Sequence, residues 1–358
     1  MSKRFPDRPS GPLKMRDIAT LAGVSTATVS RVLHNSPLVD PKTAEAIQRI
    51  IKKANYIPNN TGKALKSGHS GIFGLMVPDL GNPFFADFVQ HFEQRVVDRD
   101  QEMLLAISNH RPDLMLRSTR RMLMRGVDGI VILESEIETE SYETVLHNQV
   151  PLVTMNRLVV EPGVSDVAID VLSGQKKAIS YLKKAGHRHI VFLSGIAGQK
   201  ITEARNQSFL QAMKSMHLAC RRESIVYSNF TVEGGFHAME TLLHQKVPVS
   251  AVLCANDLSA IGAHSALRSH GLTPGRDISI IGLDDIPLDT MISPPLSTLS
   301  IARDHLARLC YDALARLLLK PNHPGEQLFL GVDLVLREST GPCRERVTPV
   351  PSRGKVRS

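Results

Sequence analysis

The stretch "VSTATVSRVL", residues 24–33, sets small hydrogen-bonding groups against an apolar ladder. With helical spacing Val29, Val32 and Leu33 face inward, and Thr26, Ala27, Ser30 and Arg31 face outward. An ordinary surface helix carries long charged chains on that side. Here most are small, so a backbone can approach another molecule, and hydroxyls, a methyl and a guanidinium suit base edges and phosphates. A second polar set follows a series of apolar runs: Asp79 and Asn82, Asn156 and Arg157, Asp170, Asn256 and Asp257, and Asp284 and Asp285. Directional donors and acceptors of this kind suit a small, hydroxyl-rich ligand held between two facing rims.

Catalytic signatures are missing. The chain has no G-x-S-x-G, no H-E-x-x-H, no G-x-x-x-x-G-K-[ST] and no G-x-G-x-x-G after a strand, which makes an α/β enzyme the weakest reading. "GHRHI" offers His187 and His189, but they open an expected strand without cysteine or carboxylate partners at ligand spacing, so neither a metal nor a cofactor is expected. Cys220, Cys254, Cys310 and Cys343 form no C-x-x-C pair and read as reduced thiols. The basic N-terminus lacks a following apolar segment, and no run approaches bilayer length, so a cytoplasmic protein that does not enter membranes is expected.

The elements that must position these residues are legible from periodicity. Met15, Ile18, Ala19 and Ala22 form one helical stripe ended by Gly23, Ser25 can cap the next helix, and Asp40-Pro41 opens a third with Ile47, Ile50, Ile51 and Ala54 buried. Helix, glycine turn, second helix and supporting third helix make a helix-turn-helix unit, whose second helix enters the major groove of double-stranded DNA. Charge agrees: residues 14–68 carry a net +6, residues 69–342 carry −4, and the tails 1–13 and 343–358 add +2 and +4. Lys42, Arg49, Lys52 and Lys53 fit backbone contacts or solvated charges. A segment around residues 59–66 is too short to be helical alone, so it is expected to order only with DNA and a second copy present. Within it, Leu65 is either a wedge in the minor groove or a packing residue against the neighbouring domain.

Beyond residue 71, nine short apolar runs alternate with amphipathic stretches such as 84–97 and 175–185, the pattern of parallel βαβ units divided between two lobes. A helix at 302–319 and a strand at 332–336 cross back between them. Ligands of such sheets sit beyond the strands' carboxyl ends. A free-standing sugar-binding protein shares this two-lobe pattern, but would not begin with a basic helix-turn-helix.

"MRDIATLAGVSTATVSRVLHN", "NYIPN" and "ALKSG" resemble the head-piece and hinge of the lactose-repressor/galactose-repressor family of bacterial transcription regulators. The similarity continues through "GLMVPDLGNPFF", "GHRHIVFLSG", "CANDLSAIGA", "ISIIGLDD" and "PPLSTL", over about residues 14–341. It implies an N-terminal all-α helix-turn-helix domain plus an α/β two-lobed periplasmic-binding-protein-like domain of type I with parallel sheets. It also implies a homodimer, sometimes a tetramer, that binds a near-palindromic operator under the control of a small effector. The expected DNA-facing residues are Arg16, Ser25, Thr26, Ala27, Thr28, Ser30, Arg31, Asn59 and Leu65, with Thr26, Ala27 and Arg31 as base readers and Leu65 as the wedge. The expected effector residues are Asn82, Phe84, Asn156, Arg157, Arg205, Phe230, Asn256 and Asp284. Arg157, Lys200 and Arg205 hint at an acidic ligand such as a sugar acid, beside a neutral sugar or a nucleobase compound.

The chain departs from the family pattern at Gly62, which weakens the hinge helix by up to about 1 kcal/mol relative to alanine. Ser208, Leu283 and Val171 stand where glycine, an aromatic and asparagine are common, which bears on the effector's identity. The expected boundaries are a tail at 1–13, the helix-turn-helix domain at 14–58, the hinge at 59–70, the effector and dimerisation domain at 71–342 and a basic tail at 343–358, both tails disordered. Within the large domain, the first lobe is expected at about 71–170 and 299–322 and the second at about 171–298 and 323–342.

Overall fold

Local signals set three helices in the head of the computed structural model, which describes residues 13–33, 36–57, 68–134, 136–220, 224–245, 248–320 and 324–344. Helix α1 (Met15–Ala22) starts where the Asp17 carboxylate accepts the Lys14 amide proton at 2.7 Å, and it ends at Gly23, whose φ of 66° a side chain would strain. In α2 (Thr26–Leu33) the Ser25 hydroxyl accepts from the Thr28 amide at 3.1 Å. Helix α3 (Pro41–Ala54) has proline in its first turn and Asp40 accepting from the Thr43 amide at 3.1 Å. Ile18, Ala19, Val29, Val32, Ile47 and Tyr56 close a small core, with Leu33 half-buried at its margin.

The described residues from 71 onward form a separate compact unit. Among its described residues are two six-stranded sheets. The first is built from β1 (Ile72–Val77), α4 (Pro83–Val97), β2 (Glu102–Ile107), α5 (Pro112–Met124), β3 (Gly129–Ile132), α6 (Thr139–His147), β4 (Leu152–Met155) and β5 (Val164–Ile169). The second is built from α7 (Val171–Lys184), β6 (Ile190–Leu193), α8 (Lys200–Ser215), β7 (Ile225–Val226), α9 (Val232–His244), β8 (Ala251–Cys254), α10 (Asp257–Ser269), β9 (Ser279–Asp284) and β10 (Ser297–Ser300). Helix α11 (Arg303–Leu319) packs on α4 and the first sheet, β11 (Gln327–Leu330) edges that sheet, and β12 (Asp333–Val335) edges the second. The first sheet runs β2-β1-β3-β4-β5-β11 and the second β7-β6-β8-β9-β10-β12, parallel except where β12 meets β10. Each lobe therefore reverses its strand order beside its first strand, between β1 and β3 and between β6 and β8, and places a crevice there.

The expected lobe boundaries need correction at two points. Leu299 and Ser300 belong to the second sheet, because β10 stays paired with β9 to its end (Leu299 with Leu283, Ser300 with Asp284). Residues 327–330 belong to the first sheet, where they pair with Asp166–Ile169 of β5. Neither strand shows apolar alternation. "STLS" in β10 is hydroxyl-rich, yet its first two residues are buried because Ser297 Oγ bonds the Arg337 carbonyl at 3.1 Å and Thr298 Oγ1 bonds Asp257 at 2.6 Å.

Helices α9 and α10 cross at glycines. A Cβ on Gly262 would lie 2.0 Å from the Val232 carbonyl oxygen, so only glycine permits this approach. Gly262→Ala is expected to destabilise the protein by about 1 to 3 kcal/mol, read from its urea midpoint; an unchanged midpoint would contradict the crossing.

His187 is buried. One ring nitrogen, Nε2, lies 2.9 Å from the Gly341 carbonyl, while Nδ1 has no hydrogen-bond partner among the described residues. Burial pulls its pKa below the ordinary 6.5, and the same holds for His264. The unfolded chain then takes up protons at these two imidazoles that the folded chain refuses, so the part of the stability that depends on them is full above pH 6.5 and falls as pH drops below it. From pH 7.5 to 5.5 the urea midpoint of the wild type should therefore fall relative to that of His187→Gln; a difference between the two that does not change with pH would contradict it.

Candidate functional site

On the head, Arg16, Ser25, Thr26, Ala27 and Arg31 are exposed, and Thr28 and Ser30 are half-buried. Ser25 and Thr28 hold each other through a hydroxyl pair at 2.9 Å while Ser25 caps α2, so these two fix the helix tip, and Thr26, Ala27 and Arg31 are left to face outward. Lys42, Arg49, Lys52 and Lys53 are exposed along α3. Asn59, Leu65 and Gly62 lie outside the described residues.

In the two-lobed unit, polar residues gather where the strand order reverses. After β1, Asn82 caps α4 by accepting the Phe84 amide proton at 3.0 Å, and its side-chain nitrogen reaches the opposite lobe, donating to Asp284 Oδ2 at 3.2 Å. The Asn82 amide is itself held by Asp79 Oδ1 at 2.9 Å. Asp79 Oδ2 lies 3.7 Å from His110 Nε2, whose other nitrogen meets Glu134 at 3.1 Å. The two carboxylates push His110 up to about 9, so it is a cation at neutral pH. A second contact between the lobes comes after β3, where Glu136 accepts a short hydrogen bond from the Lys200 amide at the start of α8, a helix end that its own N-cap residue, Gln199, leaves without a side-chain cap.

Asp284 ends β9 at a corner with φ of 128°, followed by Asp285 with φ of 64°. Buried Asp257 holds this corner: its Oδ2 accepts the Asp285 and Ile286 amide protons at 2.6 and 3.1 Å, and its Oδ1 accepts the Thr298 hydroxyl at 2.6 Å. Arg303 of the first lobe donates to the Asp284 carbonyl at 2.6 Å and pairs with Asp87 at 3.2 Å. Burial, and then the charge of Asp257, push the Asp284 carboxyl up to about 8, against the pull of Arg205, Asn82 and Arg303. At pH 7 it therefore keeps a proton that it can donate to a ligand oxygen. Arg205, on α8, donates from Nη1 to the Ala255 carbonyl at 2.9 Å, and its guanidinium carbon sits 5.6 Å from the Phe230 ring centroid. Phe230 has a φ of 65°, and its carbonyl accepts a 2.8 Å bond from Asn256, which also caps α10.

The expected residues thus divide. Asn82 and Asp284 touch across the lobes, and Arg205, Phe230 and Asn256 lie together in the second lobe, on α8 and in the loops after β7 and β8. Three others are placed elsewhere. Phe84 is 3% exposed in the core, its ring edge-on to Phe85, because the cap at Asn82 turns it inward. Asn156 spends its side-chain oxygen on the Ile169 amide at 2.7 Å, which ties β4 to β5. Arg157 lies 3.3 Å over the Tyr142 ring, where cation–π attraction holds it on α6. Asp257, Asp289, Arg303, Arg337 and Glu136 were not singled out as site residues. Only Asp257 carried a signal, as part of the rim.

Residues 14–59 match the model for "Bacterial regulatory proteins, lacI family", and residues 179–340 match that for the "Periplasmic binding protein-like domain". The ribose operon repressor of Haemophilus influenzae is 31% identical over 325 residues, covering 91% of this chain and 98% of the relative. The probable transcriptional repressor ExuR of Bacillus subtilis is 31% identical over 330 residues, covering 91% and 97%. The crystal structure of the lac repressor dimer bound to operator and the anti-inducer ONPF superposes with a TM-score of 0.82 at 24% identity, covering 92% of this chain and 100% of that one. A helix-turn-helix head with small residues at its exposed tip, a two-lobed parallel-sheet body with polar residues meeting across the lobes, and full-length relatives above 30% identity agree: the chain belongs to the lacI family of bacterial regulatory proteins.

Proposed function

We propose that this protein is a cytoplasmic transcriptional repressor that acts as a homodimer, reads a near-palindromic operator with α2, and responds to a sugar or sugar acid bound between its lobes. The observation that carries this reading is the contact of Asn82 with Asp284, a cap of one lobe bonded to a carboxyl of the other at 3.2 Å. A ligand whose hydroxyls compete for those two groups changes how the lobes close, and in a dimer that alters the spacing of the two hinge segments. It acts only through its different affinity for the two arrangements, which sets the coupling at about 1 to 3 kcal/mol.

The ligand's class follows from the donors present. Arg205 and a protonated Asp284 give hydrogen bonds, Phe230 offers a ring face, and Asn256 is spent on structure. This favours an oxygen-rich compound, and the similarity to the ribose operon repressor of Haemophilus influenzae makes ribose the first to try. A thermal-shift screen of the full-length protein against sugars, sugar acids and purines tests the reading, since a ligand that binds only the folded chain raises its melting temperature. No stabilisation by any compound would count against it.

Two substitutions separate reading from sensing. Arg31→Ala should weaken operator binding by about 1 to 3 kcal/mol, with the loss depending on the base opposite it in anisotropy titrations of single-base variants. A uniform loss across sequences would instead assign it to phosphate. Arg205→Ala and Asp284→Ala should abolish ligand stabilisation while operator affinity stays within about threefold; retained ligand response would refute their sensing role.

A further inference from the structure

Next to Arg205 the second lobe encloses a cavity of about 10 Å³, lined by Val171, Gln175, Phe192, Arg205, Leu253 and Leu283 among others. Its wall is mostly apolar, and two polar side chains interrupt it. Gln175 is 2% exposed, and its Oε1 has no hydrogen-bond partner among the described residues. Arg205 Nε is likewise buried and unpartnered, although Nη1 of the same guanidinium is bonded to Ala255.

Folded proteins rarely leave buried donors and acceptors unmet, and these two are complementary. Arg205 Nε–H needs a lone pair and Gln175 Oε1 needs an O–H. No bond joins them directly, and one oxygen bearing a hydrogen satisfies both. The volume sits at the lower limit for a single water. Gln175 also stands out along α7, where Val171, Ile179 and Leu182 share its apolar stripe. A leucine of similar length would complete that stripe, whereas the amide brings polar atoms to the cavity.

We propose that one water is bound in this cavity, accepting from Arg205 Nε–H and donating to Gln175 Oε1, and that Gln175 is thereby a positioning residue for Arg205. With Nη1 held by the Ala255 carbonyl and Nε by the water, the planar guanidinium is anchored at two of its three nitrogens and presents Nη2 in a fixed direction. The consequence for ligand binding rests on the reading of Arg205 as an effector contact; the water and the anchoring do not.

Crystal structures of the full-length protein and its Gln175→Leu variant test this. The wild type should show one water peak within hydrogen-bond distance of both atoms. Gln175→Leu should lose the peak and show the Arg205 guanidinium rotated, and Gln175→Glu, which keeps an oxygen at that position, should restore both. If Gln175→Leu does not fold, Gln175→Met takes its place. A wild-type cavity without the peak, or an Arg205 pose unchanged in the apolar variant, would overturn the proposal. Neither result depends on whether any sugar binds, so failure here is distinct from failure of the effector reading.

Discussion

A single buried carboxylate organises the corner after β9. Asp257 is fully enclosed and accepts three hydrogen bonds, two from the backbone after β9 and one from β10. Without an acceptor there, two amides and a hydroxyl would be buried unmet, each at a cost of about 1 to 3 kcal/mol. The corner they fix holds Asp284 and Asp285 in left-handed conformations that non-glycine residues avoid. Asp289, also fully buried, has its pKa pushed upward by burial and by the charge of Asp257, and Arg337 pairs with Asp285 at 2.5 Å. Strain and closely spaced acidic groups are thus concentrated at the corner from which Asp284 meets the other lobe.

Around that corner the lobes communicate through ends of helices. Asn82 caps α4 and touches Asp284, Glu136 caps α8 from the facing lobe, and Arg303 at the start of α11 holds the Asp284 carbonyl. Helix N-termini carry unsatisfied amides, so a few polar side chains can reorganise several elements together. Charge is partitioned as well. The head is cationic and residues 69–342 are mildly acidic, which keeps polyanion attraction at one end and leaves the cleft to directional hydrogen bonds.

Much of this was legible in the sequence because local chemistry decides it. Gly23, Asp40-Pro41 and the stripe through Ile47 define the head without reference to anything distant. The same is true of the apolar runs that became β1, β3, β6 and β8. What was not legible depends on partners far along the chain. β10 is a strand because Asp257 and Arg337 satisfy its hydroxyls, and β11 because β5 has a free edge; neither shows in "STLS" or "QLFL". Asn82 and Asp284 could be placed on rims from position alone, but not their contact, which spans 202 residues. Phe84 and Arg157 have suitable side-chain types, and tertiary packing turned one into the core and the other onto Tyr142.

On the function proposed above, occupancy of the cleft and affinity of the head for its operator are one linked equilibrium. Linkage is reciprocal, so the most direct test measures both halves on the full-length protein: operator affinity with and without saturating ligand, and ligand affinity with and without saturating operator duplex, at fixed salt. The two factors should be equal and fall within about 5 to 150. A ligand affinity untouched by the operator, or an operator affinity equal to that for a scrambled duplex, would contradict it.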